Sequence, residues 1–257
     1  MDAGQPANPS PAQLARRRGS YGVDAPYVPL MLAGFGVIGL ILGVLNLAVW
    51  RSLPWAIVGF LYAAFFLFSA ASYLYTTRAG KLRVWANILT DLRLRGDERA
   101  LDLGCGRGAV LLMAAQLLPQ GKATGIDLWQ TRDQSGNDQA ATEANARAEG
   151  VADRIELLTA DMRELPFADA SFDLIVSSLA IHNIPDAAGR VQAVAEAARV
   201  LNPGGRLRIA DFRNADAYAA QLRELGWQDV SVRSLGWRFW YGGPWAATRL
   251  VSAAKPA

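Results

Sequence analysis

Apolar residues are not spread evenly along this chain. Residues 30–50 form a run without a single charge, rich in Leu, Ile, Val and Gly. Arg51, Ser52, Leu53 and Pro54 interrupt it, and 55–75 is a second uncharged run that includes Phe60, Phe65, Phe66 and Phe68. At about 1.5 Å rise per residue each run reaches roughly 31 Å, close to the thickness of a hydrocarbon core. Pro54 suits the first turn of a helix, where its missing N–H costs nothing. Trp50, Trp55, Tyr73 and Tyr75 stand at the run ends, where amphipathic rings prefer the membrane interface. The pattern predicts a transmembrane helical hairpin over 30–75, with spans at 30–50 and 54–75. Each run is too long for the core of a secretory signal, about 7–15 residues. Residues 1–29, with four prolines before Tyr27 and little apolar content, predict a disordered basic arm. Beyond the hairpin, Leu82, Trp85, Ile88, Leu89 and Leu92 recur at helical spacing. Residues 76–96 therefore read as a linker and first amphipathic helix whose stripe covers a sheet, in preference to a helix lying in the headgroup layer.

From residue 97 the pattern changes. Strand-like runs at 100–103, 123–128, 155–160, 172–178 and 207–212 alternate with helical patterns at 109–118, 140–149, 187–201 and 215–225. Such alternation predicts an α/β domain over 97–257 with a doubly wound, mostly parallel sheet. Two more strand signals, 229–235 and 248–254, bring the sheet to seven strands. Only a short Trp- and Gly-rich segment separates them, too little for a crossover helix, so the sheet ends in an antiparallel pair.

Composition sharpens this division. The 257 residues carry 19% charged side chains, against about 25% in a typical soluble domain, and the deficit lies between residues 25 and 77, where Arg51 is the single charge. Residues 1–99 hold ten basic and five acidic side chains, and residues 100–257 hold sixteen and eighteen. The domain is thus near neutral, and no nucleic-acid partner is expected. Arg16, Arg17 and Arg18 precede the hairpin and Arg78, Lys81 and Arg83 follow it, while its turn has only Arg51. The positive-inside rule then puts both termini and the domain on the cytoplasmic side of a membrane. Cys105 is the only cysteine, which excludes an intramolecular disulfide and a multi-cysteine metal site, so no metal is expected. No pattern speaks to oligomeric state.

The first strand runs into Asp102-Leu103-Gly104-Cys105-Gly106-Arg107-Gly108. Ligands of such sheets bind at the carboxyl ends of the strands. The glycines let backbone approach a ligand, and the following helix start favours a carboxylate or phosphate. Gly104, Gly106 and Ala109 also satisfy the looser dinucleotide fingerprint, with Asp127 available for ribose hydroxyls in either case. An NAD(P)-dependent oxidoreductase, and a non-catalytic membrane-anchored nucleotide-binding scaffold, therefore stay open as alternatives. Asp102 weighs against the dinucleotide. It lies inside a strand buried on both faces, where a lone carboxylate is costly, and a cofactor with an ammonium group would give it a partner.

The segment 100–108 resembles the first motif of class I S-adenosylmethionine-dependent methyltransferases, and four further segments resemble that family in order: Gly125-Ile126-Asp127-Leu128, 159–167 around Asp161, 172–178, and Leu201-Asn202-Pro203-Gly204-Gly205. The resemblance covers residue 97 to the end. It implies S-adenosyl-L-methionine as cofactor, held by the backbone around Gly104, Gly106 and Gly108 with Asp102 facing its amino group. It further implies Asp127 on the ribose hydroxyls, Leu128 or Trp129 against the adenine, Asp161 on the adenine amino group and the Met162 backbone at the ring edge. The polar stretch 129–137 is longer than the family's usual entry into the next helix; it reads equally as a lid over the adenosine or as a surface loop ending at a Ser135 cap.

Methyl transfer from a sulfonium needs positioning and desolvation more than acid–base chemistry. His182, the only histidine, is a candidate base and equally a hydrogen-bonding or packed residue; Asn183 is a candidate for orienting the acceptor. Ala180-Ile181-His182-Asn183 lacks the pattern of amino-methylating DNA enzymes, and the paired glutamates of protein-arginine methylation are absent. A small or membrane-soluble acceptor, lipid- or quinone-like, is the expected substrate. Trp237, Phe239, Trp240, Tyr241 and Trp245 would either form its apolar mouth or pack the terminal hairpin.

Overall fold

The computed structural model describes residues 9–257. A short helix α1 (Pro11–Leu14) is followed by two long helices, α2 (Tyr27–Ala48) and α3 (Leu53–Tyr75). Their starts lie up to three residues before those expected, because Pro26 and Ser52 flank them as first non-helical or capping positions. The two helices touch through small residues. Gly39 faces Ala63 and Gly43 faces Gly59, and a Cβ on Gly39 or Gly59 would press into the backbone opposite. Large side chains point outward instead: Leu30, Phe35, Ile41, Trp50, Trp55, Leu61 and Phe68 are all exposed.

The second long helix does not stop at Tyr75. A π-helical turn over Thr76–Gly80 carries it into α4 (Lys81–Asp91), so that Leu53–Asp91 is one continuous helix of 39 residues. Within 76–96 the helix takes up residues 76–91, and residues 92–96 are the non-helical connection to the sheet. The stripe read from the sequence does cover the sheet: Trp85, Ile88 and Leu89 are 1%, 3% and 0% exposed.

The sheet comprises β1 (Arg99–Leu103), β2 (Lys122–Asp127), β3 (Ile155–Thr159), β4 (Phe172–Ser178), β5 (Leu201–Asp211), β6 (Ser231–Ser234) and β7 (Arg249–Ala254). Helices α5 (Leu111–Gln116), α6 (Gln139–Glu149), α7 (Ala187–Val200) and α8 (Ala215–Glu224) connect the strands. The order is β3-β2-β1-β4-β5-β7-β6, parallel except for β7, which runs antiparallel to both neighbours. Alternation along the strands divides the core in two. Ala100, Leu174 and Val176 pack under α4 and α5, whereas Leu101, Leu103 and Ile175 pack under α7 and α8. Asp102 has the parity of Ala100, so it projects toward α4 and α5.

The expectation of a disordered arm over 1–29 fails for the described part; residues 1–8 lie outside the described residues. Leu14 and Tyr21 are 1% and 8% exposed. The segment is tied down by polar contacts that leave no trace in hydropathy: Glu149 accepts from the N–H groups of Arg18 and Gly19 and from the Tyr21 hydroxyl, and Asn145 Oδ1 accepts from Ser20 N–H. Residues 9–25 form a strap across α6 and the loop before it.

Candidate active site

Strand order reverses at β1, with β2 on one side and β4 on the other, and the crevice above this point is where an open α/β sheet binds ligands. The chain after β1 turns sharply there. Gly104, Gly106 and Gly108 have φ of +70°, +51° and +82°, a region that costs a side-chain-bearing residue about 1–2 kcal/mol. Gly104 is needed twice over, since a Cβ there would overlap Ala180.

One cleft at this point is lined by Asp102, Gly104, Gly106, Asp127, Leu128, Asp161, Met162 and Asn183, so eight residues singled out from the sequence meet in one place. Gly108, Trp129 and His182 do not line it. Gly108 packs against Leu112 and Thr142. The Trp129 indole turns to donate to Thr159 Oγ1 at 2.8 Å. His182 Nδ1 lies 3.3 Å from Asp211 Oδ1, at ion-pair distance but without hydrogen-bond alignment, and its ring meets Phe212 edge-on. Burial raises the Asp211 carboxyl, yet His182, the Arg213 N–H and the Tyr218 hydroxyl outweigh it and hold the acid below its usual range.

Asp102 is 2% exposed and its Oδ1 has no partner among the described residues. Burial pushes its carboxyl up to about 8; the Leu111 N–H opposes this and the Asp127 charge adds to it. A buried, unpartnered acid facing a cleft is half of an ion pair. Asp127 is arranged differently. It accepts from the N–H groups of Gly106 (2.8 Å) and Trp129 (2.6 Å) and from Asn137 Nδ2 (3.1 Å), so its position is fixed while lone pairs remain free. Asp161 is held by Arg163 at 2.6 Å, and that guanidinium is the main reason its carboxyl sits low. Leu179, in the cleft wall, adopts φ +59°, a strained conformation of the kind that gathers at functional sites.

The loop 129–137 forms part of this wall through Gln130, Asp133, Gln134 and Asn137. Gln134 Oε1 accepts from the Arg107 N–H at 2.8 Å, beside the glycine turn. Ser135 is not the helix cap; Asp138 accepts from Ala140 N–H in that role, while Ser135 Oγ accepts from Val23 N–H. The aromatic cluster 237–245 contributes nothing to the cleft lining. Trp237 stacks on Tyr75 and Trp245 on Phe65, so these rings join the domain to the hairpin.

Four lining residues come from outside the sheet domain: Asp24, Lys81, Leu82 and Trp85. Lys81 Nζ donates to both Asp24 oxygens at 2.6 Å, and Asp24 also accepts from Thr77, Tyr241 and Gln134. Burial raises the Asp24 carboxyl, but Lys81 more than offsets this and holds it low. Asp24 is the last charge before the apolar runs and Lys81 the second basic residue after them. That position was the only available hint of the pairing.

A methyltransferase domain family matches residues 101–209. The chain is 37% identical over 150 residues to the 27-O-demethylrifamycin SV methyltransferase of Amycolatopsis mediterranei, covering 56% of this chain and 52% of that one. It is 36% identical over 137 residues to the ubiquinone/menaquinone biosynthesis C-methyltransferase of Dinoroseobacter shibae, covering 52% and 50%. By the family match, residues 101–209 are a methyltransferase domain. This methyltransferase domain shares its fold with a solved S-adenosylmethionine-dependent methyltransferase of Aquifex aeolicus, at TM-score 0.51 and 19% identity over 66% of this chain and 88% of that one. The cyclase SpnF has the same fold, at TM-score 0.54 and 22% identity over 70% and 82% of the two chains. The chain spans about half the length of the curated relatives it matches. S-adenosylmethionine is the cofactor this family implies, and the cleft suits it: the unpartnered Asp102 carboxylate awaits a cation beside a glycine turn that admits close approach.

Proposed function

We propose that the chain is a membrane-anchored methyltransferase that moves a methyl group from S-adenosylmethionine to a small, lipid- or quinone-like acceptor at the cytoplasmic membrane face. The observation that carries this reading is that one wall of the cofactor cleft, Leu82 and Trp85, belongs to the same continuous helix as the second apolar span. An acceptor dissolved in the bilayer would reach the cleft along that helix. Membrane insertion is supported by the exposed large apolar side chains of α2 and α3, which far exceed the patches tolerated on soluble proteins. The cytoplasmic orientation is supported by exposed Arg16, Arg18, Arg78 and Arg83 at the outer ends against Arg51 alone in the turn. The curated relatives named above are, by name, a 27-O-demethylrifamycin SV methyltransferase and a ubiquinone/menaquinone biosynthesis C-methyltransferase, the second of which supports a quinone-like acceptor.

In this reading Asp102 pairs with the ammonium group of the cofactor, Asp127 accepts from its ribose hydroxyls and Asp161 from its adenine amino group, with Leu128 and Met162 bordering the ring. The bound sulfonium supplies an already activated methyl group. The protein then has two tasks: to align the acceptor atom and to exclude water. Leu82, Trp85, Met113, Leu179 and Ile184 supply the dry wall, and Asn183 is the polar group that orients the acceptor. His182, held by Asp211 outside the cleft, stiffens the segment that carries Asn183. Incubation of the purified chain with methyl-labelled cofactor and a total membrane lipid extract should transfer label to the organic phase. Label found only in water-soluble products overturns the lipid-like acceptor.

A further inference from the structure

A second concavity lies beside the cofactor cleft, sharing Leu82 with it. Three segments distant in sequence build it: the strap around Arg16 and Tyr21, the π turn and start of α4 with Arg78 and Arg83, and Arg238 from the loop after β6. No Asp or Glu lines it. Among the described residues, Arg16, Arg78, Arg83 and Arg238 meet no carboxylate, and all four are exposed. Arg17, which also lines it, is spent on Glu149 and Tyr21.

Two of these arginines, Arg83 and Arg238, are drawn toward Tyr75. The Arg83 guanidinium donates back to the Tyr75 hydroxyl at 3.3 Å, which draws it toward the end of the span. Trp237 stacks on the Tyr75 ring at 5.4 Å and 17°, and the Arg238 guanidinium lies 4.8 Å above Trp237. Gly80 makes the last contact possible, because any Cβ there would collide with the Arg238 carbonyl. Tyr75 is the final residue of the span, and Arg78 follows it by about 4.5 Å of helix rise. The polar layer of a bilayer is roughly 5–8 Å deep on each side. The groove therefore opens at headgroup depth, flanked by two rings of the type that populate that layer.

We propose that this groove binds the phosphate of an anionic phospholipid, with Arg78, Arg83 and Arg238 as its ligands. The inference rests on the membrane reading above and adds a specific site to it. Guanidinium groups pair with phosphate oxygens in a bidentate way, and three that meet no carboxylate line this one groove. The lipid would join the hairpin, the strap and the terminal loop across the seam where they meet.

The test uses the full chain. In neutral detergent it is titrated with short-chain phosphatidylglycerol, short-chain phosphatidylcholine and inorganic phosphate, following Trp fluorescence and lipid retained in native mass spectra. Phosphatidylglycerol should saturate at least tenfold below phosphatidylcholine. The triple variant Arg78→Gln, Arg83→Gln, Arg238→Gln should lose that preference, while Arg93→Gln, Arg147→Gln, Arg233→Gln, which removes three exposed arginines outside the groove, should keep it. Both variants should bind S-adenosylhomocysteine as the parent does, which shows that they are folded. Equal affinity for the two lipids, or an unchanged triple variant, overturns the site. Competition by inorganic phosphate at the same concentration as the lipid reassigns it to a soluble anion. Flotation with neutral phosphatidylcholine vesicles is measured separately: a chain that floats but shows no lipid preference refutes the groove alone, and a chain that never floats refutes the membrane reading itself.

Discussion

In the hairpin the small residues are inside and the large ones outside; in the methyltransferase domain the order is reversed. Gly39, Gly59 and Ala63 form the contact between α2 and α3 while Leu61 is 66% exposed, whereas Leu101, Leu174 and Phe172 are at most 1% exposed under the helices of the domain. Both halves use the same apolar vocabulary. Where water surrounds the protein, large side chains gain by leaving it. In the proposed hydrocarbon surroundings of the hairpin nothing would be gained by hiding them, and close backbone approach would decide which residues face inward. Glycine serves both halves for different reasons, as a spacer of zero width in the hairpin and as a left-handed hinge in the cofactor turn.

Four measurements can break or sharpen this contrast. The largest effect is expected at the hinge: Gly104→Val must both enter a left-handed conformation and overlap Ala180, so S-adenosylhomocysteine binding by calorimetry should fall more than a hundredfold, whereas Gly34→Val, with open space around it, should leave it unchanged. Next comes the joint between the halves. Asp24→Leu strands the Lys81 ammonium in a site where it is 5% exposed, at a cost of about 3–5 kcal/mol, and the thermal midpoint should drop accordingly. Replacing both, Asp24→Leu with Lys81→Met, should restore most of it. Third, Leu174→Ala in the core should destabilise by about 2–5 kcal/mol, while the same change at outward-facing Leu61 should stay within about 1 kcal/mol; equal losses would refute the reversed order. The smallest effect concerns pH. Because the Asp102 carboxyl is raised to about 8 without ligand, its contribution to the stability of the free protein is fully present below its unfolded value near 4 and is lost as pH rises through about 8. Pairing with an ammonium group requires the ionised form. S-adenosylhomocysteine affinity should therefore weaken as pH falls below about 8, by at most about tenfold per unit, with a proton released on binding. Asp102→Asn should abolish the proton release.

Much of this was legible in the chain because it depends on local repetition. The spans show as uncharged length, the strands as alternation with helices, and the cofactor turn as glycines following an acid inside a strand. Asp102, Asp127 and Asp161 could be found because each closes a recognisable segment. The strap could not. Its anchors are side chains of Glu149 and Asn145 more than a hundred residues away reaching its backbone N–H groups, and hydropathy does not register a hydrogen bond. Gln134 and Lys81 were hidden for a related reason, since a polar residue in a loop or after a span is ordinarily solvated. The aromatic residues of 237–245 were visible as a cluster, but composition cannot tell a seam from a mouth. His182 shows the limit from the other side: a lone histidine in the right loop still points wherever its carboxylate partner stands.

The π turn at Thr76–Gly80 carries a last implication. An α-helix advances about 100° with each residue, and a π turn holds one residue more than an α turn. The turn therefore sets the phase between two faces of a single rod, one carrying the exposed apolar side chains of α3 and the other pressed on the sheet. Removing Ala79 alone would rotate α4 by about 100°, putting Ala86 in the place of Trp85 and Arg83 in that of Leu82. The azimuth of the cleft wall relative to the exposed apolar face of α3 is thus governed by a residue count, in a stretch that does not itself line the cleft.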